Sequence, residues 1–250
     1  MLALLLSSCL KNPDTTGPVV YTGATMGTTY SIKVSGFSDS SAIKQVQQEI
    51  EKLLQEINLS MSTYRADSEI SRFNRFADVS LFPISRQMAL VVKESLRVST
   101  LTEGALDITV APLVNLWGFG TDKQTATVVD EKKINALKRR IGYKKIKVET
   151  EPPLISKQHP ELTIDLSAVA KGFAVDQVGM LLENKGLNNY LVEIGGEIRT
   201  KGFKQHQTPW VVAIERPVMG QSVIQQVLSM GNNSLATSGD YRNYFEKNGK

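Results

Sequence analysis

The stretch Thr163-Ile-Asp-Leu-Ser-Ala-Val-Ala-Lys-Gly-Phe-Ala-Val-Asp176 joins two elements of different character. Its pattern predicts a strand that ends at Asp165, a capping residue at Ser167, and a helix that begins with small residues. Lys171 lies on the first turns of that helix and is followed directly by Gly172. A carboxylate, the free amides of a helix start and a lysine one turn further on are typical of a pocket for a polar, phosphate-bearing ligand.

Two other segments predict positions where a ligand could contact the chain. Leu191-Val-Glu-Ile-Gly-Gly-Glu197 is a strand pattern interrupted by a glycine pair, which lets a ligand approach the backbone closely. Met26-Gly-Thr28 places a flexible apolar side chain in a loop of small residues, where it suits packing on a flat ring. Filling a gap in the core is the more common role of such a methionine.

Several polar and aromatic residues each allow two interpretations. Asp165 could accept hydrogen bonds from a ligand or cap the following helix. Asp107 could likewise hydrogen-bond a ligand or cap the turn that follows it, and the local sequence favours the cap. Lys171 could neutralise a phosphate or lie on the surface, although the small residues around it favour a crowded face. Tyr64 could stack on an aromatic ligand or belong to the core.

The composition is that of an ordinary globular domain. Of 250 residues, 41% are hydrophobic and 22% are charged, and the net charge is +4. No zinc-finger spacing, RNA-binding motif, P-loop, G-x-S-x-G or H-E-x-x-H sequence is present, and His159 and His206 lack partners at catalytic or zinc-binding spacing. The sequence therefore gives no indication of a nucleic-acid partner.

The start of the chain predicts a lipid anchor. Met1-Leu-Ala-Leu-Leu-Leu-Ser-Ser-Cys9 is an apolar run that ends in small residues before the only cysteine, as bacterial lipoprotein signals do. The run is too short to span a bilayer and lacks the basic segment with which a signal begins, so either the true start lies upstream or the run is a chance apolar leader. The polar segment Lys11-Asn-Pro-Asp-Thr-Thr-Gly-Pro18 that follows favours the lipoprotein. We expect lipidation at Cys9 and a position on a bacterial cell membrane facing the periplasm. Residues 1–8 would be the signal remnant, 9–19 a polar tether, and 20–250 the folded domain.

Basic residues are concentrated between positions 132 and 147. This segment contains Lys132, Lys133, Lys138, Arg139, Arg140, Lys144, Lys145 and Lys147. Docking to anionic lipid is one interpretation, and an ordinary solvated helix face is the simpler one.

The periodicity predicts an α+β fold with a mixed or antiparallel sheet flanked by helices. Apolar residues at helical spacing and capping residues predict helices over residues 41–58, 85–104, 130–141 and 167–184, with a short helix near 74. Alternating patterns predict strands over residues 30–34, 143–149, 162–166, 190–194, 197–203, 210–215 and 222–229, the last four as a meander. Helices dominate the first half and strands the second, which argues against a doubly wound fold.

Seven blocks, in order, make the sequence resemble the ApbE family of FAD:protein FMN transferases from about residue 20 onward. They are Ala24-Thr-Met-Gly-Thr-Thr-Tyr-Ser-Ile32, Leu59-Ser-Met-Ser-Thr-Tyr64 with Asp67-Ser-Glu-Ile-Ser-Arg-Phe-Asn74, Gly104-Ala-Leu-Asp-Ile-Thr109, Leu116-Trp-Gly-Phe119, Ile164-Asp-Leu-Ser-Ala-Val-Ala-Lys-Gly172, Glu193-Ile-Gly-Gly196 and Ala236-Thr-Ser-Gly-Asp-Tyr241.

The resemblance implies a Mg²⁺-dependent reaction in which FMN moves from FAD to a threonine or serine hydroxyl of a target protein and AMP is released. It implies that the target is an extracytoplasmic flavin-carrying subunit of a membrane redox complex. The carbonyl of Ala168 would be one Mg²⁺ ligand. Gly195 and Gly196 would let the backbone close on the ligand. The residues that would contact FAD are Met26, Tyr64, Ala105, Leu106, Asp107, Asp165 and Lys171.

The sequence departs from the family pattern at its end. Family members continue with a His-x-x-Asp-Pro-x-Thr/Ser-Gly-like block, which supplies the other Mg²⁺ ligands, whereas this sequence stops at Lys250. We therefore expect a fragment of a longer protein and assign no catalytic residue. The alternatives are an FAD-binding lipoprotein without turnover, a family member that hydrolyses FAD to FMN and AMP, and a structural lipoprotein that has lost the pocket, against which the presence of Met26, Asp165 and Lys171 argues.

Overall fold

The computed structural model describes residues 17–37, 39–120, 130–216 and 223–239. Cys9 and the anchor predicted there lie outside these residues. The helices are α1 (Ser40–Met61), α2 (Glu69–Arg75), α3 (Arg86–Leu101), α4 (Ala111–Leu116), α5 (Glu131–Arg140) and α6 (Ser167–Asn184). The strands are β1 (Val19–Thr25), β2 (Thr28–Val34), β3 (Phe82–Pro83), β4 (Ile146–Thr150), β5 (Pro153–Lys157), β6 (Tyr190–Ile194), β7 (Glu197–Lys201), β8 (Trp210–Glu215), β9 (Ile224–Met230) and β10 (Ser234–Leu235).

A five-stranded antiparallel sheet in the order β1-β2-β6-β7-β10 carries the main core. Helix α6 packs on β6 and β7, while α1 packs on β1 and on α6. Helix α3 contacts α1 and α6 and also the second antiparallel sheet, β3-β5-β4. The predicted α+β class with helices flanking antiparallel strands is therefore confirmed.

The long helices form where apolar periodicity and caps predict them. In α1 the buried residues Val46, Ile50, Leu54 and Ile57 form one stripe that faces the core. Its N-cap is Asp39 rather than Ser41, because the Asp39 carboxylate accepts hydrogen bonds from the first-turn amides. Helix α3 has the predicted cap at Ser85.

The predicted strand over residues 162–166 is wrong. The Asn74 side chain accepts a hydrogen bond from Ile164 N (2.8 Å) and donates one to Ile164 O (2.9 Å), so it takes the place of a neighbouring strand. The buried Lys157 ammonium donates to Leu162 O (3.1 Å) and Phe73 O (3.3 Å), and burial lowers its pKa. Side chains therefore satisfy backbone groups that a strand would pair in a ladder.

Other strand predictions need correction as well. Residues 143–149 begin as a short 3-10 turn, Tyr143–Lys145, before β4 starts. Strands β1 and β5 were not predicted, and β1 includes Val19 from the predicted tether. The last four predicted strands do not form one meander, because β6 and β7 belong to the five-stranded sheet whereas β8 and β9 pair as a separate hairpin.

A charge network attaches the C-terminal half of α6 to the sheet. Glu183 accepts hydrogen bonds from Tyr190 Oη (2.6 Å), Arg199 Nη2 (2.8 Å) and Lys201 Nζ (3.0 Å). The bonds from Tyr190 and Lys201 lower the pKa of the Glu183 carboxyl to about 2. Burial, together with the hydrogen bond to Glu183, raises the pKa of Tyr190. The network holds the helix in place and so fixes the position of its other end.

Glu183→Gln should destabilise the protein at neutral pH and have little effect in acid. The carboxyl has a folded pKa of about 2 and an ordinary value of 4.5, so its contribution is full above pH 4.5 and disappears as the pH falls to about 2. We expect the free energy of unfolding to fall by about 1–2 kcal/mol at pH 7 in urea denaturation. Glu151→Gln is the control, because Glu151 is 77% exposed and its ion pair with Arg86 contributes little. An equal loss at pH 7 and pH 3 would contradict the assignment.

Candidate functional site

A cavity of about 730 Å³ opens between the β1–β2 turn, the C-terminal end of α1 and the first turns of α6. Its size lies within the range of roughly 300–1,000 Å³ that is typical of cofactor and small-molecule sites. The lining residues are Met26, Gly27, Thr28, Ile57, Asn58, Met61, Ser62, Thr63, Tyr64, Ser167, Ala170 and Lys171.

Two tight turns lie side by side at this end of the five-stranded sheet. Met26 and Gly27 connect β1 to β2 with φ of 51° and 72°, and Gly195 and Gly196 connect β6 to β7 with φ of 54° and 93°. Positive φ at both central residues is the type I′ geometry of short hairpins. Because β2 pairs with β6, the turns are adjacent, and Gly195 N donates to Thr29 O (3.1 Å). A left-handed methionine at the cavity is uncommon and indicates a constraint on that position.

The glycine pair makes room for side chains of this chain itself. A Cβ at Gly195 would lie 2.6 Å from Thr28 Cγ2 and 3.2 Å from Lys171 Cδ, and one at Gly196 would lie 2.5 Å from Thr237 Oγ1. The turn therefore packs closely against the start of β2 and the first turns of α6. That a ligand also approaches this backbone stays a prediction.

Lys171 connects α6 to the β6–β7 turn. Its ammonium donates to Gly195 O (3.0 Å) and forms an ion pair with Glu197 Oε1 (3.1 Å), and the two side chains are 31% and 16% exposed. Lys171 lines the cavity, as the sequence predicts for a ligand-binding lysine. An ammonium has three donors, so one remains for a ligand, but the charge is already balanced by Glu197.

Asp165 shapes the start of α6. Its Oδ1 accepts hydrogen bonds from Ser167 N (2.8 Å) and Ser167 Oγ (2.5 Å), so Asp165 rather than Ser167 supplies the side-chain cap. Leu166 is the N-cap residue by backbone geometry and gives no side-chain bond.

Ala168 is exposed on the first turn, next to Ser167 at the cavity. Gly172 is also exposed with open space around it, so the expectation of a crowded face is wrong at this position.

The segment with Ala105, Leu106 and Asp107 lies beside Asp165 rather than in the cavity lining. The backbone N–H of Asp165 donates to Ile108 O (2.7 Å), directly after Asp107. The Asp107 carboxylate accepts from Thr109 N (2.8 Å), Thr109 Oγ1 (2.6 Å) and Tyr143 N (3.1 Å). These bonds match the capping role that the local sequence favours for Asp107.

The connection from α1 to α2 carries Tyr64, which is 72% exposed at the cavity. It is therefore not a core residue. Ser68 Oγ donates to Ser62 O (2.7 Å) and closes this connection on itself. The buried Glu69 carboxylate accepts from Ser60 Oγ (2.7 Å) and Ser85 Oγ (2.7 Å) and so joins the ends of three helices.

The structure thus brings Met26, Tyr64 and Lys171 together at one cavity, although they are far apart in the sequence. Asn58 also belongs to the site and was not predicted, because it lies on the amphipathic α1 among core residues. Its side chain donates to Thr25 Oγ1 (2.9 Å) and fixes the β1–β2 turn on α1. The hydroxyl of Thr63 is buried and finds no hydrogen-bond partner among the described residues. Its only sequence signal is its place beside Tyr64.

The structure therefore defines an α+β domain in which a helix start and a lysine lie at a cavity of cofactor size, the arrangement that the sequence predicts for a phosphate-bearing ligand. The profile of the ApbE family matches residues 26–250. A relative from Vibrio cholerae, named FAD:protein FMN transferase, is 47% identical over 98% of this chain and 72% of its own length. One of the same name from Haemophilus influenzae is 43% identical over 100% of this chain and 72% of its own length. This chain belongs to the ApbE family.

Solved structures agree with the fold. The flavin transferase ApbE from Vibrio cholerae superimposes with a TM-score of 0.81 at 47% identity, covering 92% of this chain and 74% of that one. The ApbE protein from Thermotoga maritima gives 0.81 at 25% identity, covering 93% and 74%. The fold is therefore kept at low sequence identity.

Gly195→Ala and Gly172→Ala should change stability in opposite directions. At Gly195 the positive φ and the close contact with Thr28 oppose a side chain, so we expect a loss of about 2 kcal/mol or more in the free energy of unfolding. Gly172 lies in the exposed face of α6 with open space around it, so alanine should add about 0.5–1 kcal/mol. Thermal and urea unfolding of both variants give the two changes in the free energy of unfolding. Destabilisation by Gly172→Ala would contradict the open space around Gly172.

Proposed function

We propose that this chain acts as an FAD:protein FMN transferase. The observation that carries the proposal is the cavity that unites Met26, Tyr64 and Lys171, three residues for which the family resemblance implies FAD contact. Membership of the ApbE family and relatives named for this activity support it.

The cavity suits the two chemical parts of FAD. The exposed Tyr64 ring and the Met26 side chain offer flat and adaptable apolar surfaces for the isoalloxazine ring. The start of α6 carries a partial positive charge of about half an elementary charge, and Lys171 adds an N–H donor for a phosphate oxygen. Asp165 and the Ala105, Leu106 and Asp107 segment lie next to the start of α6, where they would contact the rest of the dinucleotide.

The transfer breaks one bond of the pyrophosphate. The oxygen of a threonine or serine hydroxyl on the target protein attacks the phosphorus on the FMN side. The bond from that phosphorus to the bridging oxygen breaks, AMP leaves with the oxygen, and the hydroxyl proton goes to a base. A reaction of this type depends mainly on positioning and on compensation of the phosphate charge.

We further propose that transfer requires Mg²⁺, with the Ala168 carbonyl as one ligand. The charge balance at the cavity supports this, because Lys171 is the only charged lining residue in the described part of the chain and is already paired with Glu197. When bound, the ion would compensate the remaining charge of the pyrophosphate. No cluster of three His, Cys, Asp or Glu side chains that could hold a metal occurs among the described residues.

The protein substrate and the location belong to the same proposal. The target would be an extracytoplasmic protein with an acceptor threonine or serine, such as a flavin-carrying subunit of a membrane redox complex. Lipidation at Cys9 would keep the domain on the periplasmic side of a bacterial membrane, next to such targets. In the part of the chain that the structure describes, no helix has the length and apolar character needed to cross a bilayer.

The decisive test is covalent labelling of a candidate target. The chain is incubated with FAD, Mg²⁺ and the target, and flavin fluorescence is measured in a denaturing gel alongside released AMP. Equal amounts of AMP and labelled target are expected, and a target with the acceptor threonine changed to valine should stay unlabelled. Release of FMN and AMP without labelling would indicate a hydrolase, and FAD binding without release of AMP would indicate a binding protein.

Lys171→Met should weaken FAD binding by about ten- to a hundredfold, because a hydrogen bond to a charged phosphate is lost. Isothermal titration with FAD measures the affinity. Lys185→Met is the matched control, since Lys185 caps the other end of α6 and pairs with Glu49. The double variant with Glu197→Gln removes the unpaired carboxylate as well. Compared with Lys171→Met, the double variant should regain stability but not FAD affinity. If it regained both stability and FAD affinity, Lys171 would act only in the fold.

Tyr64→Ala should lower FAD affinity about three- to tenfold through the loss of ring stacking. Because the side chain is 72% exposed, the free energy of unfolding should change by less than about 0.5 kcal/mol. Tyr64→Phe keeps the ring and should retain affinity. Quenching of flavin fluorescence on binding gives the readout, and equal affinity of all three proteins would remove Tyr64 from the site.

A further inference from the structure

Positive charge is concentrated in one short part of the chain. Residues 131–147 contain eight lysines and arginines and a single acidic residue, Glu131. The whole chain has a net charge of only +4, so the remainder is net negative. This asymmetry produces a local positive field rather than a generally basic surface.

Helix α5 presents these charges to solvent. Its Ile134 and Leu137 are half-buried, and the helix packs against α4. Residues three apart share a helix face, so the apolar side of α5 is turned towards the protein. The cations on the remaining surface are exposed, and we call Lys132, Lys133, Lys138 and Arg139 the basic face.

The cations of the basic face are not ion-paired among the residues that the structure describes. Within the described ranges, none of its four cations forms an ion pair, and the neighbouring Arg140 reaches Glu161 only at 3.8 Å. Several cations elsewhere do form ion pairs, for example Lys171 with Glu197 (3.1 Å) and Lys185 with Glu49 (2.8 Å). A surface of exposed cations that are not ion-paired attracts an anionic partner.

Two exposed aromatic side chains lie at the end of α4, the neighbouring helix. Trp117 and Phe119 directly follow α4, the helix that packs on α5, and they are 43% and 41% exposed. Tryptophan and other aromatic rings together with lysine and arginine are the combination that membrane–water interfaces favour.

We propose that the basic face of α5, with Trp117 and Phe119, docks on the surface of an anionic lipid bilayer. Each lysine or arginine near such a surface contributes about 1 kcal/mol of attraction, and the rings add partial burial at the headgroup level. The pairing of charge with exposed aromatic rings favours a bilayer over an acidic protein as the partner.

Docking would also orient the cavity. Gly142 N donates to Thr109 Oγ1 (2.7 Å) and Tyr143 N to Asp107 Oδ2 (3.1 Å), so the end of α5 is fixed to the segment beside Asp165. The membrane contact would thereby set the direction in which the cavity faces a membrane-bound target. This consequence rests on the proposed transferase function, whereas the binding assay does not.

The test is sedimentation of the full chain with vesicles, using Cys9→Ser in all proteins so that no lipid is attached. Vesicles of equimolar phosphatidylglycerol and phosphatidylcholine are compared with phosphatidylcholine alone. We expect binding to the anionic vesicles only, weakening as salt rises above about 0.1 M, where the Debye length is about 10 Å.

A charge-matched pair of variants tests the surface itself. Replacing Lys132, Lys133, Lys138 and Arg139 by glutamine should reduce the partition coefficient at least about tenfold. The control replaces Lys44, Lys52, Lys93 and Arg72, three exposed lysines and one exposed arginine on other helices, and should bind almost as the parent does. Equal loss in both variants would show a dependence on net charge alone and overturn the proposal.

Tryptophan fluorescence gives an independent readout. The chain has two tryptophans, and Trp210 is only 1% exposed, so a vesicle-induced blue shift reports on Trp117. The shift should disappear in Trp117→Phe. Absence of vesicle binding by the parent, or binding without a shift, would overturn the proposed surface whatever the outcome of the flavin-transfer assay.

Discussion

The contact between the first turns of α6 and the β6–β7 turn determines the geometry of the site. Lys171 donates to Gly195 O and pairs with Glu197, and the absence of a Cβ at Gly195 lets Thr28 and the lysine stem pack against the turn. This contact places the start of the helix beside the adjacent Met26 turn, and the Glu183 network fixes the far end of the same helix on the sheet. The cavity is therefore held between elements that cannot shift independently.

The electrostatics of the cavity follow from that contact. A lysine that stabilises the fold through Glu197 has little net charge to offer a dianionic pyrophosphate. The start of α6 provides dipolar stabilisation, and Asp165 takes up one of its amides through Ser167. The proposed Mg²⁺ would supply the missing positive charge, and the Ala168 carbonyl on the exposed first turn would be a suitable ligand for it.

Local features were predictable because their causes lie within a few residues. The apolar stripe of α1 and the caps at Ser85 and Asp130 depend only on helical geometry. Predictions failed where a distant residue decided the outcome. Residues 162–166 have a strand pattern, but Asn74, 90 positions away from Ile164, supplies the hydrogen bonds that a strand would have made. The separate pairing of β8 and β9 also depends on partners that a local pattern does not specify.

The sequence by itself determined the helices, the α+β class and the family, because periodicity, capping residues and ordered motif blocks are local properties of the chain. It also singled out Met26, Tyr64 and Lys171. Only the tertiary structure decided that these three share one cavity, that Glu197 neutralises Lys171, and that Asn58 fixes the methionine turn. Such relations require the sheet order and the packing of α1 and α6, which arise from long-range contacts between segments that the sequence keeps apart.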